Sequence, residues 1–288
     1  MKILVTGAGG FIGSNLADHL SLLGHEVHGV DKTFDLYQPK VNMILHDVKN
    51  KFYENEKIKN IECDVVLHLA AIPRIKISFE KTQDVFESNI NGTLNCLFFA
   101  KEKKSKFLFA SSSSLYSSPY LNPYTYSKFV GENHCKLFYE LYGVPTLITR
   151  FFNVYGKNHL RIGRNACLIG ILENNIIEKK TTDILGTGDQ KRDFTHIDDI
   201  CSGISLCLEK EWKNETIDLG TGNNHSVKEI VEMFNIKNYM NLCSRQGEGY
   251  DTLANLKKTQ DFIGWTPKVK LKEYIVNFLE DFMMLKKD

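Results

Sequence analysis

The stretch 1-MKILVTGAGGFIG-13 decides how the rest of this 288-residue chain is read. Ile3, Leu4 and Val5 form a short apolar run that suits a parallel strand buried on both faces. Residues 6–10 make a turn, and Phe11, Ile12, Leu16 and Leu20 then fall at helical spacing. The glycines Gly7, Gly10 and Gly13 each answer a separate constraint. A side chain at the first obstructs the tight turn, one at the second keeps the backbone from a diphosphate, and one at the third holds the helix off the sheet. The helix N-terminus offers a diphosphate free N–H groups and the positive end of its dipole. Alone, the triplet reads equally as a strand-to-helix turn with no ligand, so its context decides.

A second apolar run, 26–30, ends in Asp31, where a dinucleotide-binding βαβ unit places its ribose acid. A carboxylate there accepts hydrogen bonds from both adenosine ribose hydroxyls and repels a 2′-phosphate, which predicts NAD over NADP. Lys32, next door, works in the opposite sense. Further on, apolar runs alternate with helical patterns. The expected strands are 2–6, 26–30, 42–46, 64–69, 106–111 and 145–150, and the expected helices 11–23, 84–102 and 125–142. The second half adds helices near 165–179, 197–210, 226–234 and 271–285 and short strands near 182–185 and 216–219. Gly-rich turns 186-GTGDQ-190 and 220-GTGNN-224 punctuate it. The expected fold is α/β: a Rossmann doubly wound parallel sheet with a smaller C-terminal α+β substrate lobe. The NAD-binding domain is expected over 1–155, continuing through parts of 195–220. Residues 156–288 mainly form the lobe, which closes over the carboxyl ends of the strands, where ligands of such sheets bind.

Hydrophobic content of 42% and a net charge of +1 argue against disorder and against nucleic acid as a partner. The basic runs 101-KEKKSK-106 and 285-LKKD-288 read as solvated surface. No apolar stretch reaches the length of a membrane span. Met1 stands directly before the first strand, an expectation of no signal peptide. The seven cysteines form no C-x-x-C pair. They read as thiols of a cytoplasmic protein, without a disulfide frame or a metal site.

The run 106-KFLFA-110 passes into 111-SSSSLY-116. Four serines stop a strand poorly but line a polar site well. Tyr124 and Lys128 follow, four apart, and share one face of a helix. A free tyrosine is a weak base at neutral pH, its pKa near ~10. A neighbouring ammonium and a nicotinium charge favour the phenolate. An isolated Y-x-x-x-K is most simply a surface pair, but here it follows a glycine turn, a ribose acid and a serine-ended strand.

Taken in order, 6-TGAGGFIG-13, Asp31, 46-HDV-48, 68-HLAA-71, 89-NINGT-93, 109-FASSSSLY-116, 124-YTYSK-128, 150-RFFNVYG-156, 186-GTGDQKRDFTHIDDI-200, 219-LGTG-222, 245-RQGE-248 and 263-IGWTP-267 span nearly the whole chain. The sequence resembles an extended short-chain dehydrogenase/reductase of the NAD-dependent nucleotide-sugar epimerase/dehydratase family. The resemblance implies that Gly7, Gly10, Phe11, Ile12, Gly13, Asp31 and Lys32 line the cofactor. It implies that Asp47 and Val48 hold adenine, that Leu69, Ala70 and Ala71 line the diphosphate and ribose path, and that Asn89 buttresses the helix beside the nicotinamide. Ser112 aligns with the catalytic Ser/Thr and Tyr124 with the base, while Lys128 holds the nicotinamide ribose. Ser113, Ser114, Asn153, Arg192 and Arg245 would face the sugar nucleotide, the arginines gripping its diphosphate with forks suited to it.

Members of this family all oxidise the sugar's C4 hydroxyl first. Dehydratases then use an Asp-Glu pair after the catalytic Ser/Thr, where this chain has Ser113 and Ser114. Decarboxylases carry Glu at the position of Ser114. A 4-epimerase needs neither. FASSSSLY most resembles UDP-hexuronate and UDP-N-acetylhexosamine 4-epimerases, so the expected activity is NAD-dependent C4 epimerisation of a UDP-sugar. A 4-ketoreductase, dehydratase or decarboxylase of the same family is the alternative. An NAD-sensing scaffold, the non-enzyme reading, should lose Tyr124 or Lys128, and both are present. Between Tyr116 and Tyr124 the family has a loop about twice as long, with a glycine where Ser117 stands. The short loop predicts a more open site or an unusual substrate. Apolar residues on helices 84–102 and 125–142 exceed what one sheet face requires, which predicts a homodimer through those helices.

Overall fold

Strands β1 (Lys2–Thr6), β2 (Glu26–Asp31), β3 (Asn42–Leu45), β4 (Val65–His68), β5 (Lys106–Ser112), β6 (Thr146–Phe151) and, from the second half, β9 (Glu215–Leu219) form one sheet. Their order is β3-β2-β1-β4-β5-β6-β9, and every neighbouring pair is parallel. The computed structural model describes residues 1–34, 36–244, 246, 247, 249 and 251–284. Continuous apolar runs were the right signal for this sheet, because both faces are covered: Val65–His68 is buried at every position.

On one face, α1 (Phe11–Leu22) and α8 (Ile197–Leu208) bury Leu16, Leu20, Ile200 and Ile204 against Ile3, Val5 and Leu67. On the other lie α2 (Glu56–Lys59), α5 (Gly92–Lys103) and α6 (Pro123–Tyr142), which seat Ile58, Leu97, Phe99 and Phe138 on Leu4, Val66 and Phe107. Helix α6 shows why its ends fall where they do. Asn122 caps it by accepting from Thr125 N–H at 2.8 Å, Pro123 occupies the first turn, and Gly143 ends it at φ 67°.

The helix expected over 84–102 is interrupted. It consists of α4 (Thr82–Phe86), a π-helical turn (Glu87–Asn91) and α5, preceded by α3 (Ile75–Glu80). An extra residue in a turn leaves composition unchanged, so periodicity does not reveal it. Its effect is to carry Asn89 inward, where it is buried.

The second half also contains α7 (Leu168–Ile177), α9 (Val227–Met233), α10 (Leu256–Ile263), which packs on β9 and α8, and α11 (Leu271–Met284). Two small sheets complete the lobe: β7 (Thr182–Leu185) with β11 (Tyr239–Leu242), and β8 (Lys191–Asp193) with β10 (Asn224–Ser226). Ile169, Leu172, Ile184, Ile230, Phe234 and Ile275 form its core. Strands β8, β10 and β11 were not expected, since three or four mixed residues give no alternation to read. Among the described residues, no helix is long and apolar enough to cross a membrane.

Candidate active site

Strand order reverses direction between β1 and β4, so the turns that follow these strands border one crevice. The turn after β1 lies against the loop after β4: a Cβ on Gly7 would stand 2.7 Å from the Ala70 nitrogen, and Gly7 has φ 75°. Gly13 is packed as closely, with its Cβ position 2.1 Å from Gly7 O. Gly10 differs. A Cβ there meets only Gly7 O, at 3.2 Å, so its missing side chain leaves open space in front of α1. Phe11 and Ile12 begin that helix, whose first turn holds no acid and whose N-cap, Gly10, has no side chain to satisfy it.

Asp31 Oδ2 accepts from Gly9 N–H at 2.9 Å and Oδ1 from Lys32 N–H at 2.7 Å. Burial pushes its carboxyl above the usual range, and these backbone donors pull it back. Lys32 itself is exposed. Gly9 was missed in the sequence. Its Cβ position lies 2.5 Å from Thr33 O, so a side chain would push the turn off Asp31. The only signal was the doubled glycine in 6-TGAGGFIG-13. Asp47 accepts from Lys49 N–H at 3.0 Å, and Val48 is buried, 2.8 Å from the Cβ position of Gly92.

Leu69, Ala70 and Ala71 run half-buried along the floor of the crevice. A buried polar chain fixes them. Ala70 N–H donates to Thr6 Oγ1 at 3.3 Å, Thr6 Oγ1 pairs with His68 Nδ1 at 2.7 Å, His68 Nε2 pairs with Thr93 Oγ1 at 3.0 Å, and Thr93 donates to Asn89 O at 2.6 Å. Burial holds His68 neutral, pushed down to about 3. Since Thr93 spends its proton on Asn89, His68 Nε2 is the donor and Nδ1 the acceptor. Asn89 accepts from Ile72 N–H at 2.8 Å and donates to Ile72 O at 3.2 Å and Ser127 Oγ at 3.0 Å. It ties the crevice loop to α6.

Ser112 ends β5 and accepts from Ser114 N–H at 3.2 Å. Tyr124 stands in the first turn of α6. Burial raises its phenol above the ordinary value, while the Ser112 hydroxyl and the charge of Arg74 pull it down. Ser113 is buried, and Ser114 Oγ is buried with no partner among the described residues. Lys128 is 4% exposed, and burial lowers its ammonium to about 8. Its Nζ donates to Ala110 O at 2.7 Å and stands 4.9 Å from the Phe109 ring centre. The sequence expected this ammonium to act on Tyr124. A buried ammonium must first be hydrogen-bonded, and Ala110 O meets that need.

Just past β6, Asn153 (φ 33°) donates to Asp193 O at 2.8 Å, and Arg192 Nη2 donates to Gly249 O at 2.6 Å. Arg245 lies outside the described residues. The short loop 117–123 does not leave the site open on this side. Asn122 Nδ2 donates to Gly247 O at 2.8 Å, and the Cβ position of Gly249 lies against Ser117 Oγ.

The open space at Gly10, the uncapped start of α1 and the Asp31 carboxylate suit the diphosphate and ribose of a dinucleotide. Asp31→Ala is expected to narrow the preference for NAD over NADP, read by calorimetry with both. NADP binding to the native protein as tightly as NAD would contradict that role for Asp31.

Residues 3–220 match the model of the NAD dependent epimerase/dehydratase family. The chain is 32% identical over 306 residues to the UDP-glucuronate 4-epimerase of Thermodesulfobacterium geofontis, covering 94% of this chain and 92% of that one. It is 30% identical over 255 residues to a UDP-N-acetyl-alpha-D-glucosaminuronate decarboxylase of Bacillus cytotoxicus, covering 80% and 78%. Among solved structures it resembles the UDP-glucuronic acid 4-epimerase of Bacillus cereus in complex with UDP-glucuronic acid and NAD. That match has a TM-score of 0.84 at 29% identity and covers 98% of this chain and 100% of that one. NAD is the cofactor of this NAD-dependent family.

Proposed function

Because this chain belongs to the NAD dependent epimerase/dehydratase family, we propose that it inverts C4 of a UDP-linked sugar through a transient 4-keto sugar. One observation carries the reading: Tyr124 and buried Lys128 stand one turn apart on α6, Lys128 Nζ reaches Ala110 O of β5 two residues before Ser112, and Asn89 of the crevice holds Ser127 of the same helix. NAD+, when bound, supplies the acceptor for the hydrogen and electron pair that leave C4, and gives them back.

The remaining work belongs to the chain. Tyr124, as phenolate, takes the proton of the C4 hydroxyl, so that O–H bond breaks as the tyrosine O–H forms; the proton returns in the second half. Ser112 hydrogen-bonds the same hydroxyl and orients it, and Lys128 would hold the nicotinamide ribose. Asn89 keeps the crevice loop in register with α6. Asn153, Arg192 and Arg245 would hold the nucleotide while the keto sugar turns. Ser113 and Ser114 would face the sugar, and the Ser114 hydroxyl, buried with no partner among the described residues, supports that.

Epimerisation is preferred over elimination or decarboxylation because serines follow Ser112 where those reactions need an acid or base. Two nearby acids are committed elsewhere. Glu132 holds Arg150 through two bonds, at 2.9 and 2.8 Å, and accepts from Ser111 at 2.6 Å. Asp218 accepts from Tyr116 and from Asn255 N–H, at 2.5 and 2.8 Å. The test is redox balance. During turnover the reduced-nicotinamide absorbance should reach a small constant level. Stoichiometric consumption of NADH or NADPH with a 4-keto sugar would replace this reading with a reductase.

The working unit is proposed as a homodimer through α5 and α6. Val85, Leu97, Phe99 and Phe138 pack inward, but Phe98, Leu137, Leu141 and Tyr142 are exposed on those two helices, at 51%, 48%, 63% and 46%. Light scattering at micromolar concentration should give twice the chain mass; a monomer would refute the dimer.

A further inference from the structure

The turn 220-GTGNN-224 has the composition of a phosphate-binding loop, but the anion it encloses belongs to the chain. The successive N–H groups of Thr221 and Gly222 point at the carboxylate of Asp193, which is fully buried. Asp193 Oδ1 accepts from Thr221 N–H at 2.9 Å and from the Thr221 hydroxyl at 2.5 Å. Oδ2 accepts from Gly222 N–H at 2.9 Å and from Ala254 N–H at 3.2 Å. The glycines permit this approach. A Cβ on Gly220 would stand 2.3 Å from Ala254 Cβ and 3.0 Å from Asp193 Oδ2, and Gly222 has φ 69°. With no exposure to water, the carboxylate depends on these donors and they depend on it.

Asp193 is the last residue of β8, directly after Arg192. Strand β8 has two neighbours. It pairs with β10, Asp193 opposite Asn224 and Arg192 opposite His225. The segment 251–254 also binds it: Lys191 N–H donates to Asp251 Oδ1 at 2.9 Å, and Thr252 N–H donates to Lys191 O at 3.1 Å. The Asp193 carboxylate joins the two, reaching the turn before β10 through Thr221 and Gly222, and the segment through Ala254. Its backbone carbonyl takes a third element, the Asn153 amide, at 2.8 Å. Asn153 and Arg192, the described residues expected to hold the nucleotide, therefore both adjoin Asp193.

We propose that Asp193 is a positioning residue for substrate binding: its carboxylate clasps the 220–222 turn and the 251–254 segment to β8, which sets Arg192 and Asn153 to receive the nucleotide of the substrate. This rests on the reading of Arg192 as a nucleotide-binding residue. The carboxylate oxygens are buried and already accept hydrogen bonds, so Asp193 acts through its neighbours and not by contact with the sugar. Asp193→Asn keeps the shape, removes the charge and turns one acceptor into a donor among N–H groups. Thr221→Val removes the hydroxyl bond alone. Neither change touches the glycine turn after β1, so cofactor binding is the control.

The experiment titrates the NAD-loaded full chain with UDP by calorimetry and measures KM and kcat with UDP-glucose and UDP-glucuronic acid. It compares the native protein with Asp193→Asn, Thr221→Val, Arg192→Ala, and each of the first two combined with Arg192→Ala. Asp193→Asn should weaken UDP binding roughly tenfold and raise KM by a similar factor, with kcat at saturation and NAD affinity near native. Thr221→Val should act in the same way, roughly threefold, and decides the matter if Asp193→Asn does not fold. In the Arg192→Ala background both changes should cost UDP binding much less than they do alone, because they act on one contact. Losses that add independently of Arg192, equal losses of UDP and NAD affinity, or native UDP binding in the folded variants would overturn the proposal in favour of a merely structural role. A native protein that does not bind UDP, or an Arg192→Ala that binds it as tightly as native, would instead overturn the reading of Arg192.

Discussion

Tyr124→Phe is expected to lower kcat by roughly 10²–10⁴-fold, with NAD and substrate binding nearly intact. The substitution keeps the ring, and therefore its packing at the start of α6, and removes the one oxygen that can take the proton. Because the proton is taken in one half-reaction and returned in the other, both halves slow. Ser112→Ala should be milder, since it removes an orienting hydrogen bond and leaves the base. Tyr126 is the internal control. Its ring packs 5.8 Å from that of Phe86 and 6.1 Å from that of Tyr120, on a different face of the helix from Tyr124 and Lys128. Steady-state kinetics and calorimetry on the three variants decide the matter. A crippled Tyr126→Phe beside an active Tyr124→Phe would mean that the base has been placed one turn-face wrong.

The second large effect concerns the glycine turn, where two substitutions of equal size should behave differently. Gly13→Ala puts a methyl 2.1 Å from Gly7 O, a backbone atom that cannot move alone, because Gly7 N–H is bound to Val30 O at 2.8 Å. Helix α1 must shift outward. The expected loss of stability is about 1–3 kcal/mol, the usual penalty of overpacking. NAD affinity should fall roughly a hundredfold as the diphosphate contacts go out of register. Gly10→Ala meets one atom, at 3.2 Å, and has an ordinary extended backbone at φ −89° and ψ 173°. Its stability should stay within about 1 kcal/mol of native, the scale of an N-cap change, while NAD affinity still falls. Thermal melting of the cofactor-free protein and calorimetric titration with NAD separate the two. Equal stabilities for both variants would contradict the packing at Gly13, and native-like NAD affinity for Gly10→Ala would contradict the cofactor's approach there.

The parallel sheet could be read directly because a strand covered on both faces is written as an unbroken apolar run. Leu4 and Val5, Val66 and Leu67, and Leu108 and Phe109 point alternately to the two cores, yet all are apolar. The candidate site could be proposed from the sequence where chemistry asks for a residue type at a fixed spacing, as with the glycines, Asp31, and Tyr124 with Lys128, while Ser112 came from the family resemblance. What stayed hidden depends on backbone geometry or on distant pairing. The π-helical turn that buries Asn89 does not alter composition. The hydrogen-bond chain through Thr6, His68 and Thr93 joins residues up to 64 positions apart. Nothing in the string 72-IPRIK-76 says that Arg74 has a positive φ. The short 117–123 loop suggested an opening, because the sequence does not show that Gly247 and Gly249 come to lie against it.

The central claim, redox-neutral inversion at C4, is tested most directly by incubating the NAD-loaded protein with UDP-glucose, UDP-glucuronic acid and UDP-N-acetylglucosamine and following the sugar by proton NMR. The account predicts that at least one of them equilibrates with its C4 epimer, with every carbon retained and no net change in nicotinamide oxidation state. Release of carbon dioxide with a pentose product, accumulation of a 4-keto-6-deoxy sugar, or failure to turn over any of the three would contradict it.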